Sequence, residues 1–438
     1  MLQAKLSPHE ANTLAAAPTN DPEAYDVFLK GEYEEREALA SRKLETFEKA
    51  AGFYQEGIAR DPRFALAIAS LAENEILRHW WFKPLSDADL DKVRSRAEQA
   101  ISLAPNLAEG HIALGLYYSY GTLQFDQALA EFRRALELQP NNARALNYSA
   151  HVHRRQGQWS RYLSEMVKCE QLDPRDPQIP ESISATYCRL RMWEEAKRAA
   201  QRALALDPHH MPAMVDVLLS CLNGSGDIEK ATRLLATFPA DSLIAQSYKR
   251  GGDISNIIGE WPYFYVIKRD YAAAFKARDN DAGDSRANRL SAKAAIFVLA
   301  GDTSSARTEI ENARVLVEAR LGEHPSDGYA LSQVSWIYVG LQRNSEAVKV
   351  AQQLAELIPP QKDAVEGPEN LANLAEIQAW TGDASAAVKT LRQILLLPAG
   401  MVASIARLKI DPVWDPIRND PGFQQLLAEA KELVGPNK

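Results

Sequence analysis

Three prolines, Pro140, Pro174 and Pro208, recur at intervals of 34 residues, and each closes a segment of the same make-up. Twelve residues before them stand Ala128, Tyr162 and Ala196. Four residues further on come Phe132, Met166 and Ala200, and three beyond those come Ala135, Cys169 and Ala203. Steps of four and three keep apolar side chains on one helical face. A segment this short cannot bury its stripe alone, so successive copies must stack on one another. The proline cannot continue a helix and marks the exit into the next copy. Ala128 and Ala196 fall where two helices of a pair approach most closely, since a larger side chain would push them apart.

The clearest copy runs Leu114-Gly115-Leu116-Tyr117-Tyr118, then Ala128, Phe132, Ala135 and Pro140. It follows the pattern Leu-Gly-x-x-Tyr…Ala-x-x-x-Phe…Pro with one extra residue between the helices, and so resembles the tetratricopeptide repeat family. The resemblance implies an all-α superhelix of about nine or ten helix pairs with a C-terminal capping segment. Further copies start at Ala50, Val93 and Ala347, with weaker ones at Ala231, Ala306 and Ala387. Gly157, Gly226, Gly301 and Gly382 each precede the small or aromatic residue of the second helix by five positions, where a left-handed turn favours glycine. The poorest match, from Asp253 to Asn280, reads as a degenerate pair with Lys268-Arg269-Asp270 as its turn and Tyr271 opening the second helix. The expected organisation is a connecting helix over 1–21, a regular array over 22–239, a degenerate repeat over 240–285, a second array over 286–398 and a cap over 399–438. The stretches 280–284, 323–328 and 359–368 read as long connections between pairs.

Fifty Lys and Arg against 58 Asp and Glu give a net charge of −8, which argues against binding nucleic acid through a basic surface. No apolar run approaches the length of a membrane helix, and the N-terminus lacks the apolar core of a signal peptide. Cys169, Cys188 and Cys221 lie in separate repeats and imply no disulfide framework. A cytoplasmic protein is expected.

Two terminal segments narrow the resemblance. Leu6-Ser7-Pro8-His9-Glu10 with Pro18 to Gly31, and Ile410-Asp411-Pro412-Val413-Trp414-Asp415-Pro416 through Phe423, resemble the edges of the repeat region in bacterial multidomain signalling proteins. In those relatives the repeats follow a class III adenylate cyclase, a serine/threonine kinase or a winged-helix domain. This sequence carries no kinase glycine loop, His-Arg-Asp or Asp-Phe-Gly motif. Residues 1–14 resemble the helix that connects an upstream domain to the repeats, so the chain reads as a fragment, a late-start frame or a stand-alone descendant.

The resemblance implies a non-catalytic scaffold that holds a protein or peptide in a groove lined by the first helix of each pair. The alternative is the regulatory or oligomerising part of a cyclase, kinase or transcriptional regulator. Arg144, Asn147, His151, Arg154 and Arg155 stand at offsets 0, 3, 7, 10 and 11, one helical face. Glu181, Cys188 and Arg189 occupy the next strip, so Arg154, Arg155 and Arg189 are expected to form a basic mouth suited to an acidic peptide. Trp80 and Trp81 fall in an insertion between Pro62 and Pro105, 43 residues apart; they either finish a lengthened helix over the core or offer a second contact surface. The cluster Trp261-Pro262-Tyr263-Phe264-Tyr265 reads as filling a kink made by Pro262. His151 and His153 are spaced for different helix faces, which suits no metal site, and His153 falls in an inward register. His209-His210 is expected in a solvated turn, and Glu34-Glu35 and Glu194-Glu195 on solvated helix faces. Asn223-Gly224-Ser225-Gly226 lacks the lysine of a phosphate loop. Nothing calls for a cofactor or metal, and self-association stays open.

Overall fold

The computed structural model describes residues 18–41, 43–82, 84–238, 252–279 and 285–436. Residues 1–17 of the expected connecting helix, the whole 240–251 stretch and the 280–284 connection lie outside these. Among the described residues all regular structure is helical, and the fold is an all-α solenoid of stacked helix pairs. The chain divides into two compact units, residues 1–153 and 154–438.

In the first unit the pairs are Pro22–Ser41 with Leu44–Arg60, Ala65–Trp81 with Asp87–Leu103, and Ala108–Leu116 with Phe125–Leu138, followed by Ala143–Arg155. The repeat motif explains their closeness. Gly115 faces Phe132, and a Cβ on it would come within 2.6 Å of the ring; a Cβ on Gly31 would come as close, 2.6 Å, to the Tyr54 ring. Ala50, Ala97, Ala128 and Ala135 are fully buried in these crossings. The extra residue of the third pair is absorbed as a π-helical turn, Tyr117–Gly121. The insertion after Pro62 becomes a longer first helix whose end carries Trp80 and Trp81.

In the second unit the pairs run from Trp159–Leu172 to Ala384–Leu395 and end in Ile405–Ile410, a 3₁₀ turn Pro412–Ile417 and Pro421–Glu429. The expected glycine turns are left-handed, with φ of 75° at Gly157, 70° at Gly226, 73° at Gly301 and 93° at Gly382. Leu123, Arg191, Arg269 and Gln342 take the same conformation, φ 53°, 56°, 60° and 60°. Each stands five positions before Ala128, Ala196, Ala274 or Ala347, all fully buried. Arg269 therefore turns the degenerate pair as expected, and Tyr271–Asp279 is its second helix.

Three expectations are corrected. Pro262 makes no kink: it sits in the first turn of Glu260–Ile267, and the break from Ile254–Ile258 falls at Gly259, φ 92°. His210 is buried rather than solvated, because its Nδ1 caps the next helix by accepting from the Ala213 N–H (3.4 Å) while Nε2 meets Gln178 (2.7 Å). Glu35 is not on a solvated face; it is 7% exposed. His153 is buried, as its register implied. Trp414 and Phe423 are buried and stacked at 6.3 Å, with Trp380 Nε1 donating to the Val413 carbonyl (2.7 Å).

Candidate partner-binding surfaces

The polar strip of the Ala143–Arg155 helix crosses the boundary between the units, so its residues are taken unit by unit. In the first unit Arg144, its side chain 47% exposed, pairs with Glu73 of the Ala65–Trp81 helix. Tyr148, one turn on, donates to the same carboxylate at 3.0 Å. Asn147 and His151 are half-buried, and Asn147 Oδ1 has no hydrogen-bond partner.

These contacts are one side of a larger acidic cluster. Tyr54 Oη donates to Glu35 (2.5 Å) and lies 2.9 Å from Glu32, and Ser70 donates to Glu32 at 3.4 Å. Glu32 and Glu35 come from the first helix of the first pair, Glu73 from that of the second, Glu109 from that of the third. Burial, reinforced by Glu73, pushes the Glu35 carboxyl up to about 8, against the hydrogen bond from Tyr54 and the charge of Arg144. Burial also raises Glu109, with Glu73 and Glu32 adding to it and its own backbone N–H and Arg144 opposing. Glu35 Oε1, Glu109 Oε2 and both polar atoms of the fully buried Asn74 lack hydrogen-bond partners.

The second unit treats the same face differently. Arg154 lies 5.1 Å over the Tyr162 ring and donates to Thr186 Oγ1 at 3.4 Å. Arg155 is 4% exposed and paired with Asp363 and Glu366, while the Ala364 N–H donates to its carbonyl at 2.8 Å. Arg189 pairs with Glu369 at 2.6 Å. Burial pushes Glu369 up to about 7 despite that guanidinium, and Asp253, Glu366 and Asp363 add to the rise. Glu181 and Cys188 are buried. The expected basic mouth is thus not an open set of cations: Arg155 and Arg189 are taken up by acids of the unit's own later helices.

Arg191 completes this closure. Its guanidinium donates to the carbonyls of Leu397 (2.8 Å), Leu433 (2.9 Å) and Ala403 (3.0 Å). Gly400 N–H donates to the Arg189 carbonyl at 2.9 Å, and Asn223 donates to Gly400 and Met401. A Cβ on Gly400 would meet the Cys188 carbonyl at 2.2 Å, so only glycine allows the approach.

No protein-family model and no curated protein matches the chain. Solved structures do. A thermophilic TPR protein of Thermus thermophilus, TTC0263, is 15% identical over 44% of this chain and 99% of its own, with TM-score 0.37. YrrB, a TPR protein with an unusual peptide-binding site, is 16% identical over 52% of this chain and 97% of its own, TM-score 0.31. The type IV pilus biogenesis factor PilW is 15% identical over 50% of this chain and 96% of its own, TM-score 0.39. Glu32, Glu35, Glu73, Glu109 and Arg144 all lie on the first helices of their pairs.

Trp80 and Trp81 are half-buried: Trp80 stacks on Tyr120 at 4.3 Å and Trp81 meets Phe47 edge-on at 5.5 Å. They end a lengthened helix over the core. Trp261, Tyr263 and Phe264 are core residues of the second unit. Among the described residues no helix is long and apolar enough to cross a membrane. Sequence reasoning missed Glu35, Glu73, Asn74 and Glu109. The available signal was the recurrence of acids on successive first helices, which a reading confined to single helices assigns to solvent.

Proposed function

We propose that this protein is a non-catalytic scaffold in bacterial signalling that holds a protein or peptide partner on the first-helix face of its N-terminal unit. The observation that carries this reading is the uneven use of that face. In the second unit Arg155, Arg189, Arg191 and Asn223 are engaged by residues between 363 and 433 of the same unit. Both units leave some buried polar atoms unpartnered, Asn223 Oδ1 and Asn370 Oδ1 in the second and Glu35 Oε1, Glu109 Oε2 and Asn147 Oδ1 in the first; the difference is that in the first unit the nearby guanidinium, Arg144, pairs with Glu73 and not with Glu35 or Glu109. Buried polar groups are ordinarily satisfied, so a face that leaves several unmatched is suited to a ligand that supplies the missing donors. An acidic partner segment would have to win Arg155 and Arg189 from their present carboxylates, so the acid-lined face favours a partner of the opposite charge. The signalling context rests on the resemblance of the 410–423 segment to repeat regions of signalling proteins.

The test is site-specific photo-crosslinking of the full chain in a bacterial extract. Probes at Asn147 and His151 are compared with one at Gln99, an exposed position on a second helix. Discrete adducts at the first two and none at Gln99 are expected. Equal labelling at all three, or none at Asn147 and His151, refutes the reading.

A further inference from the structure

The first helix of the first pair, Pro22–Ser41, carries apolar side chains on two faces. Ala24, Val27, Phe28 and Ala38 are buried in the core of the first unit. Tyr25, Leu29 and Tyr33, at steps of four, are 37%, 47% and 60% exposed. Residues four apart are neighbours on one helical stripe, and this stripe runs along the side turned away from the core. Single exposed apolar residues call for no explanation. Nowhere else among the described residues do three large ones share one stripe. Inside a stacked array such a side is covered by the preceding pair, and the described residues hold no pair before Pro22.

We propose that this stripe is a self-association surface, covered by the same helix of a second copy of the chain running antiparallel about a two-fold axis at Leu29. The symmetry of the stripe selects a second copy as the occupant. Tyr-x-x-x-Leu-x-x-x-Tyr reads alike in both directions. A two-fold through its centre therefore sets Leu29 against Leu29 of the partner subunit and Tyr25 against Tyr33 of the partner subunit. Charge agrees with this register. Asp26 and Lys30 are exposed beside the stripe, and neither has an ion pair among the described residues. The same two-fold brings Asp26 to within two residues, about 3 Å along the axis, of the partner's Lys30, and the pairing occurs twice. A parallel copy in register would set like charges beside one another and is disfavoured. Tyr25 already stacks on Phe28 at 6.2 Å, which holds one ring of the stripe before a partner arrives.

The chemistry suits a reversible contact. Tyrosine offers an apolar ring and keeps its hydroxyl in water at the rim, so the separate chain stays soluble and still gains by pairing. Three apolar side chains per copy make an interface of the small class, below about 1,200 Å². A dissociation constant on the order of tens of micromolar is expected. The inference goes beyond the scaffold reading and does not rest on it. Pairing at this helix would double the first-helix faces carried by one assembly, and with them its avidity for a partner that repeats.

The experiment is sedimentation velocity of the full chain over a concentration series that spans the expected constant. The wild type should pass from monomer to dimer. Leu29→Lys, at an exposed position on the axis, should weaken association by about tenfold or more and leave the melting temperature unchanged. Asp26→Lys and Lys30→Asp should each weaken it, because either one leaves like charges across the contact, and an equimolar mixture of the two should pair again. Leu29→Cys should form a disulfide-linked dimer on oxidation, while Gln99→Cys, an exposed position on a second helix, should not. Cys169, Cys188 and Cys221 are buried and should not compete. A chain that stays monomeric throughout overturns the proposal, whether the stripe is then bare or covered by another protein or by other residues of the same chain. Association that survives Leu29→Lys, a mixture that pairs no better than its components, or equal crosslinking at the two cysteine positions assigns the dimer to another surface and overturns it as well.

Discussion

Glu35 in the first unit and Glu369 in the second are the same kind of residue in two surroundings. Both are carboxyls of first helices whose protons are held by burial, to about 8 and about 7 respectively. Glu369 faces Arg189 at 2.6 Å, supplied by a helix 180 residues earlier in the chain. Glu35 has a tyrosine hydroxyl and other acids, with the one nearby guanidinium committed to Glu73. One repeat register thus yields two outcomes. Where the chain returns on itself, as residues 397–433 do onto Arg191, the inner face becomes core. Where it does not, Glu35 keeps a tyrosine hydroxyl and other acids around it in place of a guanidinium of its own.

Deleting residues 410–438 should have the largest effect on this contrast. It removes Asp411, which accepts from Tyr263 at 2.7 Å, and the buried Trp414 and Phe423. The second unit should lose its cooperative transition or aggregate, as a solenoid stripped of its cap does. An unaltered melt of a monomeric truncation would detach the terminal segment from the unit's stability.

Arg191→Ala comes next. Stripping several buried carbonyls of their common donor should cost about 3–5 kcal/mol, read from denaturant midpoints. A loss below about 1 kcal/mol, the scale of a surface pair, would mean the closure is an accompaniment rather than a support.

Ala196→Arg should cost about 2–5 kcal/mol, because a fully buried helix crossing cannot house a long cation. Ala128→Arg should do the same in the first unit. Unequal results would show that the closure of the second unit lets it absorb or amplify damage at a crossing.

The last test, which reads both carboxyls at once, is the pH dependence. Both carboxyls bind protons more tightly folded than unfolded, where a glutamate titrates at about 4.3. Their contribution to stability is complete below that value and declines as pH rises, until about 7 for Glu369 and about 8 for Glu35. Thermal melts should therefore fall between pH 5 and 8 (roughly the interval these values span). Glu35→Gln should flatten the upper part of that decline. A wild-type profile that rises through this interval would contradict the burial of both groups.

The pairs and turns were legible in the sequence because they are local. Ala128, Ala196, Ala347 and Ala387 are spaced from their turns by steric rules that act within one hairpin, and even the degenerate pair obeys them at Arg269 and Ala274. The arginine face was legible as a helical stripe, yet not its fate. Nothing in a 34-residue period foretells that Arg155 meets Asp363, since a repeat specifies its neighbours and no more distant part of the chain. Glu35 was misplaced for a related reason. A polar stripe on a single helix reads as solvated, and only the convergence of several first helices removes the water.

The bonds of Arg191 also set a timetable. Its acceptors at Ala403 and Leu433 lie 212 and 242 residues further along the chain. At synthesis rates of about 5–20 residues per second, the guanidinium is made roughly 10–40 s before the first of them. A helix pair whose contacts are all with its neighbour can fold as it emerges, on the pair before it. Here residues 154–225 must wait with a basic inner face uncovered. Until residues 397–433 have been made, the Arg191 guanidinium lacks the carbonyls that receive it in the finished unit.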